Sequence, residues 1–463
     1  MTLGEAMAAT ALRELALFAG VGFLVGALDE LLIDLIWAAR TLWRRATIYR
    51  RHPRADAGRL PPPLRPGRIA VFVPAWDESA VIGAMLKALF ARFGAGDYRV
   101  YVGCYPNDAA TVGIVAALAA AEPRLRPALV SAPGPSTKAD CLNHLWRALL
   151  ADEAAEGKRV KAVLLHDAED AVHPLELVVL DRLIERFALV QLPVRPLVAR
   201  QGLWAKLVSG HYCDEFAEGH GKLAVVREAL GAALPSAGVG CGLEREALAR
   251  IAGEAGGAPF DAGSLTEDYE LGLRIGRHGR QAFVWLPAEE GKPAPVAVSA
   301  HFPESFGAAV RQKSRWIAGI AFAGWDRLGW SGGFAERWMR LRDRRAPIAA
   351  LVTFAGYLAM LLWGLLGTAT LAGLADAHAS PLPGWLAAAN VAMLAWRVLV
   401  RGGFAMRVYG WRWGLLVPVR LVVANFVMLF AAGLAFWRYL SILRGHPPAW
   451  GKTAHVFPAG RPA

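Results

Sequence analysis

Long apolar stretches lie near both ends of the sequence and enclose a middle region with a different pattern. The first stretch runs from residue 15 to residue 39 and is interrupted by Asp29, Glu30 and Asp34. It is long enough to cross a bilayer, and carboxylates are costly in lipid, so we expect all three to face protein or the membrane interface. The stretch has neither a basic leading region nor a small-residue cleavage site, which favours a membrane anchor over a signal peptide.

Three further apolar segments follow the basic stretch 337–345, at residues 348–375, 382–396 and 414–437. Arginines follow the first anchor and recur in the tail, and such basic flanks favour the cytoplasmic side. Three full crossings would carry the tail to the opposite side, so one segment is expected to be interfacial or re-entrant. Residues 414–437 contain Pro418, Arg420 and Asn425, and we expect this segment to be the one that does not cross.

The middle region alternates short β-rich runs with helical ones. Strands are predicted at residues 69–73, 98–103, 161–166 and 189–192, with an amphipathic helix at 81–90. This alternation is typical of an α/β fold in which helices flank a mostly parallel sheet. Because ligands of such sheets bind beyond the carboxyl ends of the strands, functional residues are expected directly after the predicted strands.

These patterns divide the chain into four parts. They are a transmembrane helix with its basic flank at 1–60, a cytoplasmic α/β domain at 61–330, membrane and interfacial helices at 331–440, and a cytoplasmic tail at 441–463. Apolar residues make up 55% of the chain and charged residues 19%, which favours a membrane protein with a soluble domain. The net charge of +12 arises beside the apolar segments and not in a basic stripe with aromatic residues, so no nucleic-acid partner is expected.

Residues 71–78, Val-Phe-Val-Pro-Ala-Trp-Asp-Glu, lead from a predicted strand through a turn into a helix. The free N–H groups of a helix start suit an anionic ligand, which makes Pro74 and Glu78 candidates for a ligand site. An ordinary strand–helix turn would give the same pattern.

Residues 166–170, His-Asp-Ala-Glu-Asp, directly follow another predicted strand. Carboxylates at a strand end suit a hard divalent cation, so Asp167, Glu169 and Asp170 are predicted to hold Mg²⁺ or Mn²⁺ that bridges to a diphosphate. Such a metal would stabilise the negative charge that grows on a leaving nucleotide. A solvated acidic loop is the alternative interpretation.

Thr266, Glu267 and Asp268 open a predicted helix that continues to about residue 276. They fit an ordinary N-cap with acidic residues in the first turn. Asp268 can also act as a general base, because a sugar hydroxyl needs its proton accepted during attack. The positive end of the helix dipole is expected to favour the ionised form of Asp268.

Gln312, Arg315 and Trp316 share one face of a predicted helix just before the membrane segments. Residues three and four apart on a helix are neighbours. Arginine offers a planar fork for phosphate, and tryptophan offers a flat surface on which a sugar can lie. An amphipathic interfacial helix would have the same pattern, and we expect both descriptions to hold.

In this order, the clusters and the following membrane helices resemble the family-2 glycosyltransferases, which include the cellulose, chitin and hyaluronan synthases. Residues 138–143 resemble the family's lysine-to-asparagine segment, residues 238–242 its glycine-rich acceptor loop, and residues 448–455 its Trp-x-Lys-Thr-x-His tail. Residues 29–37, 105–108 and 166–170 resemble the glycosyltransferase part of the inner-membrane phage-adsorption protein B type.

The resemblance implies a GT-A-like fold and a multi-pass enzyme of the inner membrane. Such an enzyme depends on a metal and transfers a hexose, with inversion, from a nucleotide-diphosphate sugar such as a UDP-sugar to a glycan or lipid-linked acceptor. The implied site comprises Pro74, Glu78, Asp108, Lys138 and Asp167 for the donor, catalytic Asp268 with Glu267, and Gln312, Arg315 and Trp316 for the acceptor and diphosphate. The chain departs from the family pattern in having Asp167-Ala168-Glu169 for Asp-x-Asp and Asn107-Asp108 for Asp-Asp.

A non-catalytic membrane component of polysaccharide export or phage adsorption is the alternative function, and an outer-membrane export partner would fit either function. The presence of Asp268 and Arg315 favours the enzyme. A glycoside hydrolase would also need two carboxylates, but the membrane segments and the Gln-x-x-Arg-Trp cluster argue against that class.

Overall fold

Two β-sheets lie in the middle of the chain in a computed structural model, which describes residues 3–289, 294–373, 381–446 and 456–458. The strands are β1 Ile69–Pro74, β2 Tyr98–Cys104, β3 Leu125–Leu129, β4 Ala162–Leu165, β5 Leu189–Gln191, β6 Val194–Leu197, β7 Cys241–Glu244, β8 Gln281–Phe283 and β9 Val298–His301. The larger sheet has the order β3-β2-β1-β4-β7-β5-β8. Its pairs are parallel apart from the two that β7 makes with β4 and β5, so the predicted mostly parallel α/β fold is confirmed.

Helices cover the larger sheet and continue into the apolar regions. They are α1 Leu3–Ala46, α2 Ile48–Arg51, α3 Ile82–Phe93, α4 Ala109–Ala121, α5 Lys138–Glu156, α6 Glu176–Leu183, α7 Leu203–Glu218, α8 Ala224–Ala229, α9 Arg245–Glu254, α10 Glu267–Ile275, α11 Phe306–Ile317, α12 Gly324–Leu328, α13 Phe334–Arg344, α14 Ala346–Leu371, α15 Gly384–Tyr409, α16 Trp411–Leu415 and α17 Val417–Leu443. Two π-helical turns, Gly219–Leu223 and Ala318–Ala323, follow α7 and α11.

Strand β1 shows why the sheet is covered on both faces. All of its residues are buried, and side chains alternate between the two faces of a strand. Val71 and Val73 belong to the core that includes Met85 of α3, whereas Phe72 belongs to the core that includes Trp146 of α5. A run of apolar residues without alternation is typical of such a doubly covered strand.

Three helices of the described chain are long and apolar enough to cross a membrane: the stretch Ala6–Arg51 opened by α1, and helices α14 and α17. The segment predicted at 382–396 extends into the 26-residue helix α15, which carries Arg397 and Arg401 and lies outside this group. The expectation that residues 414–437 do not cross is therefore not supported by length or composition, because α17 is one continuous 27-residue helix.

Polar residues of α17 face protein, which explains why they do not shorten the helix. Arg420 is buried, and its guanidinium donates to both carboxylate oxygens of Asp214 on α7, at 2.6 and 2.8 Å. Asn425 donates to the hydroxyl of Tyr357 on α14 at 3.2 Å. Both side chains thus find their partners on neighbouring helices instead of in lipid.

Asp29, Glu30 and Asp34 of α1 also face protein, as the sequence predicted. Asp34 accepts hydrogen bonds from Lys222 Nζ at 2.5 Å and from Trp396 Nε1 at 2.8 Å. Lys222 donates in addition to Glu218 at 2.6 Å, and Glu218 accepts from Arg401 Nε at 2.8 Å. These contacts join α1, the end of α7 and α15.

Helix α13 completes this charge network, which we define as Asp29, Glu30 and Asp34 of α1 with their partners on α7, the π-helical turn after it, α13 and α15. Asp29 accepts from Trp338 Nε1 at 2.7 Å, and Glu30 pairs with Arg342 at 2.9 Å and with Arg397 at 3.3 Å. The network therefore connects the first membrane helix to the last helix before α14 and to α15.

Candidate active site

Charged side chains converge beyond the carboxyl end of β4. Lys138 Nζ, on the first residue of α5, lies 2.5 Å from Asp167 Oδ1, which follows β4. The charges of Glu267 and Asp268 also act on Lys138, and the charge of Arg315 acts on both of these carboxylates. The structure thus brings together residues from four of the sequence clusters, although 177 residues separate Lys138 from Arg315 in the sequence (315 minus 138).

Lysine 138 is the cation at the centre of this group. Burial alone would lower its pKa, but the charges of Asp167, Glu267 and Asp268 raise the pKa of Lys138 above its ordinary value. Lys138 is therefore protonated at neutral pH. An ammonium is a compact point charge for phosphate, but the three carboxylates beside it are acidic, so an anionic ligand would need a further cation to offset them.

The acidic loop after β4 is held in place by its last carboxylate, Asp170, and by His166. Asp170 is buried, and its Oδ2 accepts hydrogen bonds from the backbone N–H of Asp167 at 2.9 Å and from His166 Nδ1 at 3.0 Å. His166 Nε2 lies 3.2 Å from Oε1 of Glu176 on α6. Burial alone would lower the pKa of His166, but Glu176 and Asp170 raise it to about 10, so His166 carries a charge that holds the loop.

Asp167 and Glu169 are half-buried, and Asp167 Oδ1 is paired with Lys138 Nζ. In the described part of the chain, no three His, Cys, Asp or Glu side chains are grouped so that they could hold a metal ion. Mg²⁺ is commonly held by one or two protein carboxylates together with substrate phosphates and water. Asp167 and Glu169 fit such a shared site, whereas Asp170 is directed to His166.

The Thr-Glu-Asp cluster opens α10, as predicted, and a glycine lies directly against it. Asp268 Oδ1 accepts from the backbone N–H of Tyr269 at 2.8 Å. A Cβ atom added to Gly238 would lie 2.5 Å from Asp268 Oδ2, and Gly238 has φ of +75°. Glycine is therefore required at 238 both for the backbone conformation and for the approach of this loop to Asp268.

Burial sets the protonation of the two carboxylates. Burial raises the pKa of Asp268, and the opposing charge of Lys138 does not fully offset it. The net shift is thus opposite to the expectation that the helix start favours the ionised form, because loss of solvent outweighs the charge of Lys138 and the hydrogen bond from the Tyr269 N–H. For Glu267, burial and the charge of Asp268 raise the pKa to about 7.

Helix α11 carries Gln312, Arg315 and Trp316 and is fixed against the Thr-Glu-Asp cluster. A Cβ atom on Gly319, in the π-helical turn after α11, would lie 2.6 Å from the Thr266 side chain. This close approach explains how the charge of Arg315 reaches Glu267 and Asp268. Gln312 Oε1 is buried and has no hydrogen-bond partner among the described residues.

Tryptophan 316 packs against α7 in this structure. Its ring meets Tyr212 edge to face, with the centroids 6.2 Å apart. Lys313 Nζ lies 5.1 Å from the Trp316 centroid and 4.9 Å from that of Tyr212, and it pairs with Glu215. Sequence reasoning missed Lys313 and Tyr212; the position of Lys313 within Gln-Lys-Ser-Arg-Trp was the available signal.

The predicted donor residues at β1 and β2 form a separate group. Pro74 ends β1, and Asp108 accepts from the backbone N–H of Asp77 at 2.6 Å and of Thr111 at 3.2 Å. The buried residue Glu78 donates its backbone N–H to Thr111 Oγ1 at 3.1 Å. Asp108 therefore holds the turn after β1 in place, and Thr111 was not anticipated.

An aromatic pair stands beside this turn and was also missed. Trp76 and Tyr105 meet edge to face with centroids 5.1 Å apart. A Cβ atom on Gly134 would lie 2.6 Å from Trp76 and 2.7 Å from Tyr105, and Gly134 exchanges two hydrogen bonds with Asn107. The tryptophan in Pro-Ala-Trp-Asp-Glu was the signal in the sequence for this aromatic pair.

Comparison with known proteins gives the class of this fold and site. A family model described as "Glycosyltransferase like family 2" matches residues 66–319, which is more than half of the chain. The chain therefore belongs to the family-2 glycosyltransferases, as the resemblance implied.

Two curated relatives match almost all of the chain. Bacteriophage adsorption protein B of Escherichia coli (strain K12) and Bacteriophage N4 adsorption protein B of Escherichia coli O157:H7 are each 35% identical over 474 residues, which cover 97% of this chain and 62% of the relative. The chain thus spans about three fifths of the length of these relatives.

Among solved structures, the mannosyltransferase PcManGT from Pyrobaculum calidifontis, in complex with GDP-Man and Mn²⁺, is similar over 92% of this chain and 99% of its own. The TM-score is 0.52 at 17% sequence identity. This likeness confirms the GT-A-like fold and says nothing by itself about substrates.

Proposed function

We propose that the chain is a membrane-bound, inverting glycosyltransferase. It moves a sugar from a nucleotide-diphosphate sugar, such as a UDP-sugar, to a glycan or lipid-linked acceptor. The observation that carries this proposal is the convergence of Lys138, Asp167, Glu267, Asp268 and Arg315 at the carboxyl end of β4. Family membership supports the same class of reaction.

In this proposal Asp268 accepts the proton of the attacking hydroxyl. A base whose pKa is raised by burial holds that proton more strongly than an exposed aspartate does, provided that it is ionised before the step. Lys138 and Arg315 place positive charge around the site, where they can stabilise the negative charge of the departing diphosphate. Displacement by a single attacking group leads to inversion at the anomeric carbon.

Asp167 and Glu169 would hold Mg²⁺ or Mn²⁺ together with the donor phosphates. When bound, the metal supplies positive charge for the leaving nucleotide. The complex of PcManGT with GDP-Man and Mn²⁺ supports a divalent metal in this fold. Asp170, clamped by His166, positions the loop that carries both ligands.

We further propose that the enzyme lies in the inner membrane with its α/β domain in the cytoplasm. The support is the run of arginines that follows the first apolar stretch, since basic residues favour the cytoplasmic side. The phage-adsorption names of the bacterial relatives support a product that reaches the cell surface, with an outer-membrane export partner.

The proposal is tested by incubating the purified chain with a panel of nucleotide-sugars and measuring nucleotide release and sugar transfer. Asp268→Asn keeps the shape of the side chain but cannot accept the proton, so transfer is expected to fall by about 10²–10⁴-fold. Donor affinity and melting temperature are expected to change little. Asp97→Asn, at the amino end of β2 and thus opposite the site, is the matched control.

Near-normal transfer by a folded Asp268→Asn protein would rule out the base assignment. Absence of turnover with every nucleotide-sugar, by a protein that still supports export or adsorption, would instead favour the non-catalytic component.

A further inference from the structure

Three arginines meet where α11 runs alongside α17. Arg311 and Arg315 are one helical turn apart on α11, and Arg438 on α17 lies close enough to both for their charges to repel it. Arg438 Nε is buried and donates no hydrogen bond to any described residue. Like charges held together next to an active site favour an anion that bridges them.

An apolar groove lies between α7, α11 and α17. Its wall includes Trp204, Leu207, Phe306, Val419, Val422 and Phe426, and its volume is about 730 Å³. Val419 and Val422 are 48% and 47% exposed. They belong to α17, which is apolar enough to cross a membrane. The groove therefore opens along the side of a helix that is long and apolar enough to cross a membrane.

The three features follow one another along α11. Phe306 is in the groove, Arg311 comes five residues later, and Arg315 acts on Asp268. At a rise of about 1.5 Å per residue, the groove residue lies about 7–8 Å before Arg311 and about 13–14 Å before Arg315 along the helix axis. The order apolar groove, basic cluster, catalytic base matches a molecule with the order apolar chain, phosphate, sugar hydroxyl.

Resting on the proposed function, we propose that the acceptor is a lipid-linked sugar whose chain lies in the groove and whose phosphate binds Arg311 and Arg438. The hydroxyl of its terminal sugar attacks the anomeric carbon of the donor and forms the new C–O bond. The bond from that carbon to the nucleoside diphosphate breaks, its electron pair leaves with the diphosphate, and the hydroxyl proton passes to Asp268. Donor diphosphate is the other source of phosphate, but Arg438 belongs to α17, the apolar helix that also lines the groove, which favours the lipid.

The test measures binding of polyprenyl phosphate and of the matching polyprenol to the full chain in lipid nanodiscs. The wild type is expected to bind the phosphate at least about tenfold more tightly than the alcohol, and Arg438→Gln to lose about 10–100-fold of phosphate affinity, the range for a hydrogen bond between charged groups. Alcohol binding should not change in this variant. Arg444→Gln, exposed at the end of the same helix, is the matched control.

The groove is tested separately with Val422→Trp, which fills it and is expected to weaken binding of both lipids. Val391→Trp is its control, because Val391 is 68% exposed on α15 and lies outside the groove. If Arg438→Gln does not fold, Arg311→Gln, on an exposed side chain, carries the same expectation for phosphate binding.

Two results would overturn the inference: equal affinity for polyprenol and its phosphate, or loss of UDP binding in Arg438→Gln with polyprenyl phosphate unaffected, which would assign the cluster to the donor. Failure of the proposed function would be seen differently: the chain would consume no nucleotide-sugar. Transfer to a lipid-free glycan, by a chain that does not bind the lipid phosphate, would sink this inference and leave the proposed function intact.

Discussion

Replacement of Gly238 by alanine tests whether the glycine-rich loop positions Asp268, the proposed base. The new Cβ atom would lie 2.5 Å from Asp268 Oδ2, a separation that side chains do not tolerate, so the loop or the carboxylate must move. The left-handed backbone at φ +75° adds a strain of about 1–2 kcal/mol for a residue with a side chain. A displacement of about 1 Å at a reacting group can cost about 10²-fold in rate.

A matched control separates these two effects. Gly231 has φ of +72° and no atom within 4 Å of an added Cβ, so Gly231→Ala imposes the same backbone strain without the clash. Both variants are expected to lower the melting temperature by about 2–8 °C, from about 2–4 °C per kcal/mol in a domain of this size. Only Gly238→Ala is expected to lose transfer, by about 10²-fold.

The assay is the transfer rate at saturating donor, with the melting temperature and donor affinity measured on the same preparations. Gly238→Ala that transfers sugar as fast as Gly231→Ala would refute the proposed contact between this loop and Asp268. Equal loss in both variants would mean that backbone strain, and not the position of the carboxylate, limits the rate.

Three further predictions concern the metal, the pH dependence and the topology. Chelation is expected to abolish transfer, and Asp167→Asn to raise the metal concentration for half-maximal rate; full activity in excess chelator would contradict this role. Because the proposed base Asp268 acts in its ionised form and burial raises its pKa, transfer should fall with decreasing pH on a limb above the ordinary value for aspartate of about 3.9. Glu267→Gln removes a neighbouring negative charge and should move that limb to lower pH; an unmoved limb would show that the two carboxylates are not coupled. A reporter active only outside the membrane, inserted at the exposed residue Gly256, should be silent, and a strong signal would overturn the cytoplasmic placement.

The strands were predictable where an apolar run is buried on both faces. The four predicted strands match β1, β2, β4 and β5 within one residue at each end. A short, continuous apolar run such as that of β1 is typical of a buried strand, which makes its bounds easy to predict. Strand β7 was missed because it includes Gly242, where a Cβ atom would lie 2.6 Å from Leu180. The need for glycine there arises from packing against a helix that sequence periodicity does not show.

The clusters of the site were predictable, but the role of each carboxylate within them was not. Sequence spacing treats Asp167, Glu169 and Asp170 alike, and the fold turns Asp170 inward because His166 and the loop backbone bind it. For Asp268 the helix start suggested a lowered pKa, yet burial by distant parts of the chain raises it. The raised pKa of Asp268 comes from long-range contacts, whereas the position of Asp170 comes from contacts with residues three and four positions away, which residue spacing alone does not reveal.

The same limit applies to the membrane segments. Arg420 looks unfavourable in a crossing helix when only its neighbours in sequence are considered. Its partner Asp214 lies 206 residues away, and the buried pair permits α17 to continue without a break.

The charge network has a consequence for how the chain is made. Asp34 on α1 is synthesised 188 residues before Lys222 and 362 residues before Trp396, the residues that bind its two oxygens. During that interval Asp34, within α1, is without these partners, and an unpaired carboxylate is unfavourable in lipid. The order of translation therefore imposes an order of assembly. Asp34 can bind Lys222 first, and its hydrogen bond with Trp396 can form only after α15 has been made. We therefore expect a nascent chain arrested between α14 and α15 to lack the hydrogen bond from Trp396 to Asp34.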